Sequence, residues 1–376
     1  MINNELFLES LIDQGISFFS GVPDSLLKEI CACITEKMPE DKHVITANEG
    51  GAVALATGYH LATGGVPLIY LQNSGLGNIV NPLLSLADPE VYSIPMIVMI
   101  GWRGEPGVKD EPQHVKQGRV QNALLDAMEI PYYEINAESI DYKDIISKVV
   151  ATAISNNSPV ALIVRKGTFE PYKKIEEKSV ELLMSREEAI QTIVKSLDDS
   201  DIVVSTTGMP SREIFEIRAN DNMGHHRDFL TVGCMGHCSQ IALGVAMNTN
   251  RSVYCIDGDG AFLMHMGSVA ITGTTKVSNM KHIVLNNAAH DSVGGQPTVG
   301  FKISIPGVAK ASGYNEAKTV STKDELLNEL EWMRISDGPI LLEVIIKKGS
   351  RKDLGRPTRS PIENKIDLMK NLGSVE

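Results

Sequence analysis

Short apolar runs rich in β-branched residues alternate with helix-like segments along the whole chain, and this alternation constrains the fold more than any other feature. Apolar strands separated by helices form parallel sheets that helices cover on both faces. The pattern therefore predicts an α/β protein with two tandem doubly wound parallel-sheet domains. The predicted strands span residues 43–46, 67–71, 96–100 and 161–164 in the first half and 202–205, 253–256, 282–285 and 340–346 in the second, and the predicted helices of the first half span 25–34, 51–62 and 117–127.

A charged stretch, YKKIEEKSVE, interrupts the alternation near the middle of the chain. We expect it to belong to a linker, residues 172–184, between a first domain at 1–171 and a second domain at 185–376. Ser185 followed by Glu188 is typical of a capping box, in which the two residues cap the start of a helix. A chain of 376 residues is long enough for two domains, each with its own core.

The composition narrows the classes of partner. The formal net charge of −12 argues against a nucleic-acid partner, because phosphate backbones bind basic surfaces, but it is compatible with a small anionic substrate. No apolar run approaches the ~20 residues that a membrane helix needs, so we expect no membrane partner, and the amino terminus lacks the basic region of a secretory signal. From five cysteines, an odd number, we expect reduced thiols and a cytoplasmic protein.

The most specific motif lies in the second half of the chain. The run VYCIDGDGAFLMH predicts a buried strand, then Gly258, Asp259 and Gly260, then the start of a helix. The next predicted strand ends about 25 residues later in Asn286 and Asn287. Ligands of parallel sheets bind at the carboxyl ends of strands, glycines let backbone N–H groups approach a phosphate, and Mg²⁺ prefers hard oxygen ligands. Taken alone, Gly-Asp-Gly could equally be a plain turn.

Gly-Asp-Gly followed at this spacing by Asn-Asn resembles the signature of thiamine-diphosphate-dependent enzymes. The resemblance implies that the Asp259 carboxylate, the Asn287 side chain and the backbone oxygen of Ala289 bind Mg²⁺. It also implies that this ion holds the diphosphate group of the cofactor, thiamine diphosphate. The cofactor-binding positions of the motif are Gly258, Asp259, Gly260, Ala261 and Asn287.

A second stretch, HVITANEGGAVALATG, has Glu49 between a predicted strand and a helix rich in alanine and glycine. From the residues alone, Glu49 could be an ordinary glutamate of the first helical turn, where the helix dipole favours negative charge. In the thiamine-diphosphate enzymes that this stretch resembles, a glutamate in this context hydrogen-bonds the aminopyrimidine nitrogen N1′ of the cofactor. The resemblance therefore implies that Glu49 is both the catalytic residue and a cofactor contact.

A third stretch, TVGCMGHCSQIALGVA, resembles the segment that holds the middle of the cofactor in this family. It implies that the Gly233 carbonyl accepts a hydrogen bond from the pyrimidine amino group and that Met235 supports the bent cofactor, although a methionine here could also be part of the core. In the family, the glutamate and the diphosphate site belong to different domains, normally of different subunits. We therefore expect a homodimer or larger homo-oligomer with the cofactor at the subunit interface.

Five further stretches narrow the resemblance to phosphonopyruvate decarboxylases: GVPDSLL, NSGLGNIVNPLLSLADPEVY, GWRGEPGVKDEPQHVKQG, HDSVGGQPT and GSRKDLGRPT. The direct succession of two domains agrees with this family, because most related decarboxylases carry a third domain between them. The resemblance implies decarboxylation of 3-phosphonopyruvate to phosphonoacetaldehyde and CO2 through a thiamine ylide. Three alternatives stay open: a sulfopyruvate decarboxylase, an inactive thiamine-fold binding module, and a nicotinamide-binding enzyme, although the full G-x-G-x-x-G spacing is missing.

The substrate-binding side chains are indicated less specifically. A 2-oxo acid with a phosphonate tail needs basic groups, and arginine offers a fork to two oxygens. Loop 101–118 and the C-terminal basic cluster each supply such groups, which could instead be solvated surface charges. Asp24 or Ser25 could face the reacting carboxylate or cap a helix, and His290 could supply a proton. The candidate substrate residues are Asp24, Ser25, Arg103, Lys109, His114, His290 and Arg356.

Overall fold

The chain divides into two units, Met1–Glu176 and Glu177–Glu376. The computed structural model describes residues 1–173 and 184–375. The predicted linker, residues 172–184, therefore lies outside the described residues except at its two ends. Among the described helices, none combines the length and the apolar character that crossing a membrane requires.

Six strands form the sheet of the first unit: β1 (Phe19–Gly21), β2 (His43–Ile45), β3 (Leu68–Gln72), β4 (Met96–Gly101), β5 (Tyr132–Ile135) and β6 (Pro159–Val164). They are parallel and lie in the order β2-β1-β3-β4-β6-β5. The helices of this unit are α1 (Asn4–Asp13), α2 (Lys28–Lys37), α3 (Glu49–Thr63), α4 (Leu76–Pro82), α5 (Pro112–Ala127) and α6 (Tyr142–Asn156). Successive strand residues point to opposite faces, and both faces are buried, because Leu68 packs into one apolar cluster and Ile69 into another.

Helix α3 has a clear start signal and a clear stop signal. The Asn48 side chain accepts the Gly51 N–H at 2.8 Å, which caps the first turn. Gly64 ends the helix in the left-handed conformation, with φ 71°. These caps fix the start of α3, and with it Glu49, shortly after β2.

The second unit repeats this design. The strands are β7 (Ile202–Ser205), β8 (Asp228–Leu230), β9 (Val253–Gly258), β10 (Met280–Asn286), β11 (Ala289–His290), β12 (Gln296–Pro297), β13 (Glu316–Val320) and β14 (Ile340–Ile345). The helices are α7 (Arg186–Ser196), α8 (Met209–Asn220), α9 (Cys238–Ala246), α10 (Asp259–Met264), α11 (Gly267–Thr275), α12 (Ile305–Ala311), α13 (Lys323–Ile335) and α14 (Pro361–Asn371). Six strands form a parallel sheet in the order β13-β14-β10-β9-β7-β8, and β11 and β12 form a small antiparallel pair.

The two sheets share one topology. If the six sheet strands are counted along the chain within each unit, both sheets have the order 2-1-3-4-6-5. The chain changes direction across the sheet between the first and third strands, and ligands of such sheets bind at the carboxyl ends of strands beside this switch point. The predicted fold class, two doubly wound parallel sheets, is therefore confirmed.

The eight predicted strands are all present, and their ends differ by at most two residues from the prediction. The predicted helix 25–34 begins later, at Lys28, because Asp24 holds a turn in front of it. The predicted helix 117–127 begins earlier, at Pro112, a residue that suits a first helical position. The capping box of Ser185 and Glu188 is present at the start of α7.

Candidate active site

In the first unit, the candidate side chains follow the carboxyl ends of neighbouring strands. Asp24 follows β1, Glu49 follows β2 and Arg103 follows β4, while β3 is followed by Gly75, which packs against Glu49. Because these four strands are consecutive in a parallel sheet, the side chains emerge at the same edge. This edge includes the switch point between β1 and β3, where ligands of such sheets bind.

Glu49 is the first residue of α3 and is only 6% exposed. Its Oε2 atom accepts a hydrogen bond from Nδ2 of Asn78 at 2.7 Å. Gly75 lies against the other carboxylate oxygen, since a Cβ atom added to this glycine would come within 2.4 Å of Glu49 Oε1. The result is a buried carboxylate held from both sides, and the predicted role of Glu49 stays a prediction.

Asp24 is fully buried, with 0% exposure. Its Oδ2 atom accepts the backbone N–H groups of Leu26 and Leu27 at 3.0 and 3.2 Å, so Asp24 caps the turn before α2. Its Oδ1 atom has no hydrogen-bond partner among the described residues. Burial raises the pKa of Asp24 to about 6, against the opposing effects of the Arg103 charge and the backbone N–H groups. Asp24 therefore acts as a cap and keeps one oxygen for a further partner.

The guanidinium group of Arg103 is held by a carboxylate that the sequence motifs do not indicate, that of Asp110. Nε of Arg103 donates to Asp110 Oδ2 at 2.8 Å, and Nη2 donates to Oδ1 of the same carboxylate. Nη1 donates to the Ser25 hydroxyl oxygen at 2.5 Å. Asp110 therefore binds Nε and Nη2 of this arginine in a bidentate pair. The contact with another candidate residue, Ser25, is made by Nη1. The predicted phosphonate contact of Arg103 stays a prediction.

The expectation that Lys109 and His114 share one loop is wrong, because α5 begins at Pro112 and includes His114, whereas Lys109 precedes it in the loop. Lys109 is exposed. His114 lies in α5, is buried, and its Nδ1 atom has no hydrogen-bond partner in the part of the chain that the structure describes. Burial and the charge of Arg103 lower the pKa of His114 to about 4, so the imidazole is neutral at neutral pH. The predicted substrate contacts of His114 and Lys109 stay untested.

The second unit brings the Gly-Asp-Gly and Asn-Asn motifs together. β9 and β10 are parallel neighbours with Gly258 beside Leu285, so Asp259 and Asn287 emerge at the same edge of the sheet. Asp259 is 2% exposed and accepts hydrogen bonds from the Thr298 hydroxyl and from the backbone N–H of Asn287. Burial raises the pKa of Asp259 to about 6, against the effect of these hydrogen bonds. A buried carboxylate in this position is a group that a divalent cation would neutralise.

The two asparagines of the motif have different surroundings. Asn286 is fully buried and donates from Nδ2 to Glu343 Oε1 at 2.7 Å, which anchors the loop after β10. Asn287 donates from Nδ2 to Asp291 Oδ2 at 2.8 Å and accepts the Ala289 N–H through Oδ1 at 3.0 Å. An amide oxygen accepts two hydrogen bonds, so Oδ1 of Asn287 keeps a lone pair for a metal ion.

These donors fit the predicted magnesium and diphosphate site. Asp259 and Asn287 offer hard oxygen atoms, and Ala289, whose carbonyl is the third predicted ligand, follows directly in β11. A Cβ atom added to Gly300 would come within 2.8 Å of Asp259 Oδ2, so this carboxylate is closely packed on one side. A Cβ atom added to Gly258 would meet open space, so the strand end beside the carboxylate has room for a ligand.

The predicted cofactor segment around Gly233 and Met235 lies between β8 and α9, and both residues are half-buried. Gly236 of this segment lies against α10, because an added Cβ atom would come within 3.0 Å of the Ala261 carbonyl oxygen. Gly236 has φ 84°, a conformation that favours glycine. The structure therefore brings this segment to the Gly-Asp-Gly motif, and the contacts of Gly233 and Met235 with a cofactor stay predictions.

The two remaining candidates lie in different parts of the second unit. His290 is half-buried with its ring against Gly260, where an added Cβ atom would come within 2.9 Å of His290 Nδ1. Burial lowers the pKa of His290 to about 4. Arg356 is exposed on the C-terminal segment, whose other arginine, Arg351, binds Glu187 at 3.0 Å. The substrate roles of His290 and Arg356 stay predictions.

The two units share one topology. The sheet edge of the first carries a buried glutamate, and the sheet edge of the second carries candidate oxygen ligands, Asp259 and Asn287. This combination defines the class of thiamine-diphosphate enzymes. The description "Thiamine pyrophosphate enzyme, N-terminal TPP binding domain" matches residues 2–130, and "Thiamine pyrophosphate enzyme, C-terminal TPP binding domain" matches residues 207–344. The chain belongs to this family of thiamine-diphosphate enzymes. The predicted cofactor is thereby confirmed, and Mg²⁺ is the usual partner metal of such enzymes.

Within this family, the chain is similar to phosphonopyruvate decarboxylases. It is 34% identical to that of Streptomyces viridochromogenes, over 96% of this chain and 93% of that protein. It is 33% identical to that of Streptomyces hygroscopicus, over 96% of this chain and 92% of that protein. The sulfopyruvate decarboxylase of Methanosarcina acetivorans is 27% identical over 92% of each chain. The predicted resemblance to phosphonopyruvate decarboxylases is confirmed, and sulfopyruvate decarboxylases are more distant relatives.

Proposed function

We propose that this protein decarboxylates 3-phosphonopyruvate to phosphonoacetaldehyde and CO2. The observation that carries the proposal is the similarity, over nearly the full length of both chains, to two phosphonopyruvate decarboxylases. The buried Glu49, Asp259 and Asn287 side chains support an active enzyme rather than an inactive binding module. The alternative substrate is sulfopyruvate, because one relative that matches over most of the chain is a sulfopyruvate decarboxylase.

The cofactor-binding residues divide between the two motifs. Thiamine diphosphate, when bound, supplies a positively charged thiazolium ring that takes up the electron pair left by the departing CO2. Glu49 would hydrogen-bond the pyrimidine nitrogen N1′ and hold a proton there, with Asn78 fixing the carboxylate. Asp259 and Asn287 would bind Mg²⁺ through oxygen atoms, together with the Ala289 carbonyl, and the ion would hold the diphosphate.

The reacting end of the substrate would face Asp24 and Ser25. The pKa of Asp24, about 6, suits a group that accepts and returns a proton near neutral pH, and its Oδ1 atom has no partner among the described residues. Arg103 donates to the Ser25 hydroxyl while Asp110 holds the other edge of the guanidinium. Arg103 is thus a positioning residue that orients this hydroxyl.

The phosphonate tail needs basic side chains that do not already form a bidentate ion pair with a carboxylate. The guanidinium group of Arg103 is ion-paired with Asp110, and that of Arg351 is ion-paired with Glu187 and Glu216. We therefore assign the tail to Lys109, an exposed basic residue that the sequence indicates. Charge-assisted contacts of this kind contribute ~1.5–3 kcal/mol each where they are desolvated.

The proposal includes a homodimer or larger homo-oligomer with each cofactor at an interface between subunits. Helix α3 supports it, because it exposes two large apolar side chains, Leu55 at 38% and Leu61 at 73%. Glycines at positions 51 and 58 of the same helix would let a partner helix approach closely. Such a surface is typical of a helix that packs against another chain.

The decisive experiment offers three 2-oxo acids to the purified protein with Mg²⁺ and thiamine diphosphate. We expect kcat/KM to be highest for phosphonopyruvate, lower for sulfopyruvate and lowest for pyruvate, with Glu49→Gln as the inactive matched control. A higher kcat/KM for sulfopyruvate than for phosphonopyruvate would show that the protein is a sulfopyruvate decarboxylase. Absence of turnover with all three acids would overturn it.

Two variants test the assignment of the tail. Lys109→Ala should lower kcat/KM for phosphonopyruvate roughly 10- to 100-fold and change that for pyruvate little, because pyruvate lacks the anionic tail. Arg103→Ala should lower kcat/KM for both acids by a similar factor, because it orients a hydroxyl that both substrates use. The reverse pattern would return the phosphonate contact to Arg103.

A further inference from the structure

The carboxylate of Asp291 joins three segments of the second unit. Its Oδ2 atom accepts hydrogen bonds from Asn287 Nδ2 at 2.8 Å, from Arg186 Nη1 at 3.0 Å and from the Gly349 N–H at 2.9 Å. These donors belong to the loop after β10, to the first residue of α7 and to the C-terminal segment. One oxygen atom with three N–H donors has a fixed position, and so has the amide group that it binds.

The charge of Arg186 is already balanced by Glu213, so Asp291 is not needed for that purpose. Arg186 is 4% exposed and Glu213 is 1% exposed. The two form a bidentate pair, with Nε to Oε2 at 2.9 Å and Nη2 to Oε1 at 3.0 Å. A buried arginine needs one carboxylate for neutrality, and Glu213 already provides it. Asp291 is therefore a second carboxylate, and it lies against Asn287.

We infer that Asp291 is a positioning residue for the magnesium ligand Asn287, an inference that rests on the proposed function because it takes Asn287 as a ligand. The two ends of an amide group differ, since Nδ2 only donates and Oδ1 only accepts. By accepting from Nδ2, Asp291 fixes which end of the amide is turned away from the metal and leaves Oδ1 to face the ion. Partners of this kind, one step removed from a metal, commonly change its affinity 10- to 100-fold.

The chain should tolerate the substitution Asp291→Asn. The Arg186–Glu213 pair remains bidentate and neutral without Asp291, so no uncompensated charge is left in the core. The amide of the variant, however, would present either an N–H group to three donors or a weaker acceptor to Asn287. The expected loss therefore concerns the orientation of Asn287 rather than the fold.

The test measures Mg²⁺ binding to the full-length protein at saturating thiamine diphosphate, by calorimetry. Asp291→Asn should weaken the Mg²⁺ affinity about 10- to 100-fold and raise the half-maximal Mg²⁺ concentration for activity by the same factor. At saturating Mg²⁺, its kcat should return to within about threefold of the unsubstituted protein. The matched control is Asp353→Asn, whose carboxylate also pairs with an arginine, Arg351 at 3.4 Å, but is 83% exposed, and which should leave the Mg²⁺ affinity unchanged.

Two results would overturn the inference: an unchanged Mg²⁺ affinity, whether or not the ligand-free melting temperature falls, or a loss of kcat that saturating Mg²⁺ does not relieve. Asp291→Ser is the second variant should the first not fold, because it removes the charge without facing an amide donor toward Arg186. Binding of Mg²⁺ and cofactor needs no substrate. A protein that bound both but did not turn over phosphonopyruvate would contradict the proposed function and leave the role of Asp291 standing.

Discussion

Single buried polar residues differ in how their charge is compensated. Arg218 and Asp228 are both fully buried and form a fork with distances of 2.8 and 2.9 Å, so each supplies the partner of the other. Asp24 is equally buried, but one of its oxygens has no hydrogen-bond partner within the described residues. A buried carboxyl group with a raised pKa costs stability when it ionises, and such groups concentrate at functional sites. We therefore expect the ionised Asp24 carboxylate to lower the free energy of unfolding by a measurable amount.

Asp24→Asn should stabilise the protein at high pH. Burial raises the pKa of the folded state from 3.8 to about 6, so folding favours the protonated carboxyl group. The resulting penalty is absent below about pH 4, grows as the pH rises toward 6, and is constant above that value. Asparagine does not ionise, so at pH 8 the variant should gain up to roughly 3 kcal/mol in the free energy of unfolding.

Denaturant unfolding at pH 4, 6 and 8 without ligands checks this pH dependence. The difference between variant and unsubstituted protein should vanish at pH 4. A loss of stability in the variant that grows from pH 4 to pH 8 would contradict the prediction and show that the ionised Asp24 carboxylate stabilises the fold. In the same preparation, turnover should fall, because the variant has lost the proton-accepting group.

At the scale of elements, the turns after the strands bring backbone close to the candidate carboxylates. There is no space for a side chain at Gly75, because an added Cβ atom would lie 2.4 Å from Glu49 Oε1. Gly300 does the same in the second unit, at 2.8 Å from Asp259 Oδ2. Glycine at these positions is needed for close approach of the chain to a buried carboxylate. The turn, as well as the helix that carries the carboxylate, therefore determines its position.

Gly75→Ala should displace the Glu49 carboxylate and lower kcat roughly 100-fold, because a shift of about 1 Å in a catalytic group can cost that much. Gly77→Ala is the matched control two residues later, where an added Cβ atom meets nothing within 4 Å. The control should keep its kcat and gain slightly in stability, as alanine is favoured over glycine in a helix. Equal kcat values for the two variants would contradict the packing of Gly75 against Glu49.

The elements that can be predicted from the sequence are those with long apolar runs. The fully buried strands β4 and β6 have continuous apolar sequences and are predicted to within two residues at each end. β1 has only three residues, and the sequence of β13 at the sheet edge, EAKTV, neither alternates strictly nor forms an apolar run, so neither strand has a sufficient local signal. These strands form because their neighbours in the sheet offer hydrogen-bond partners, which is information from the tertiary fold.

For the whole molecule, the motifs predict the candidate ligands but not what holds them. Asp259 and Asn287 are predictable because each directly follows a buried strand, and such strand ends meet at one edge of a sheet. Asn78 bonds to Glu49 from 29 residues away, and Thr298 bonds to Asp259 from 39 residues away. The sequence gives no spacing rule for such contacts between segments that are distant along the chain. Asp110 is the exception, because Arg103 lies in the same loop and a part-buried arginine needs a counter-charge.

The repeated topology of the two units has a consequence for assembly. Each unit carries an incomplete set of groups: Glu49 in the first, and Asp259 with Asn287 in the second. In the proposed homo-oligomer, one cofactor uses Glu49 of one subunit and Asp259 of another. A variant of either residue should then be inactive alone, and two different variants should complement each other across the interface.

Glu49→Gln and Asp259→Ala, carried by differently tagged chains and purified together as mixed dimers, test this arrangement. In such a dimer, one of the two sites combines the intact Glu49 of one chain with the intact Asp259 of the other, and the second site combines both substitutions. The mixed dimer should therefore have about half of the unsubstituted activity, whereas each variant alone should have almost none. Dimers purified from two tagged Glu49→Gln chains are the control and should stay inactive. If mixed dimers were as inactive as this control, Glu49 and Asp259 of one chain would have to serve the same cofactor, and the proposed interface site would be wrong.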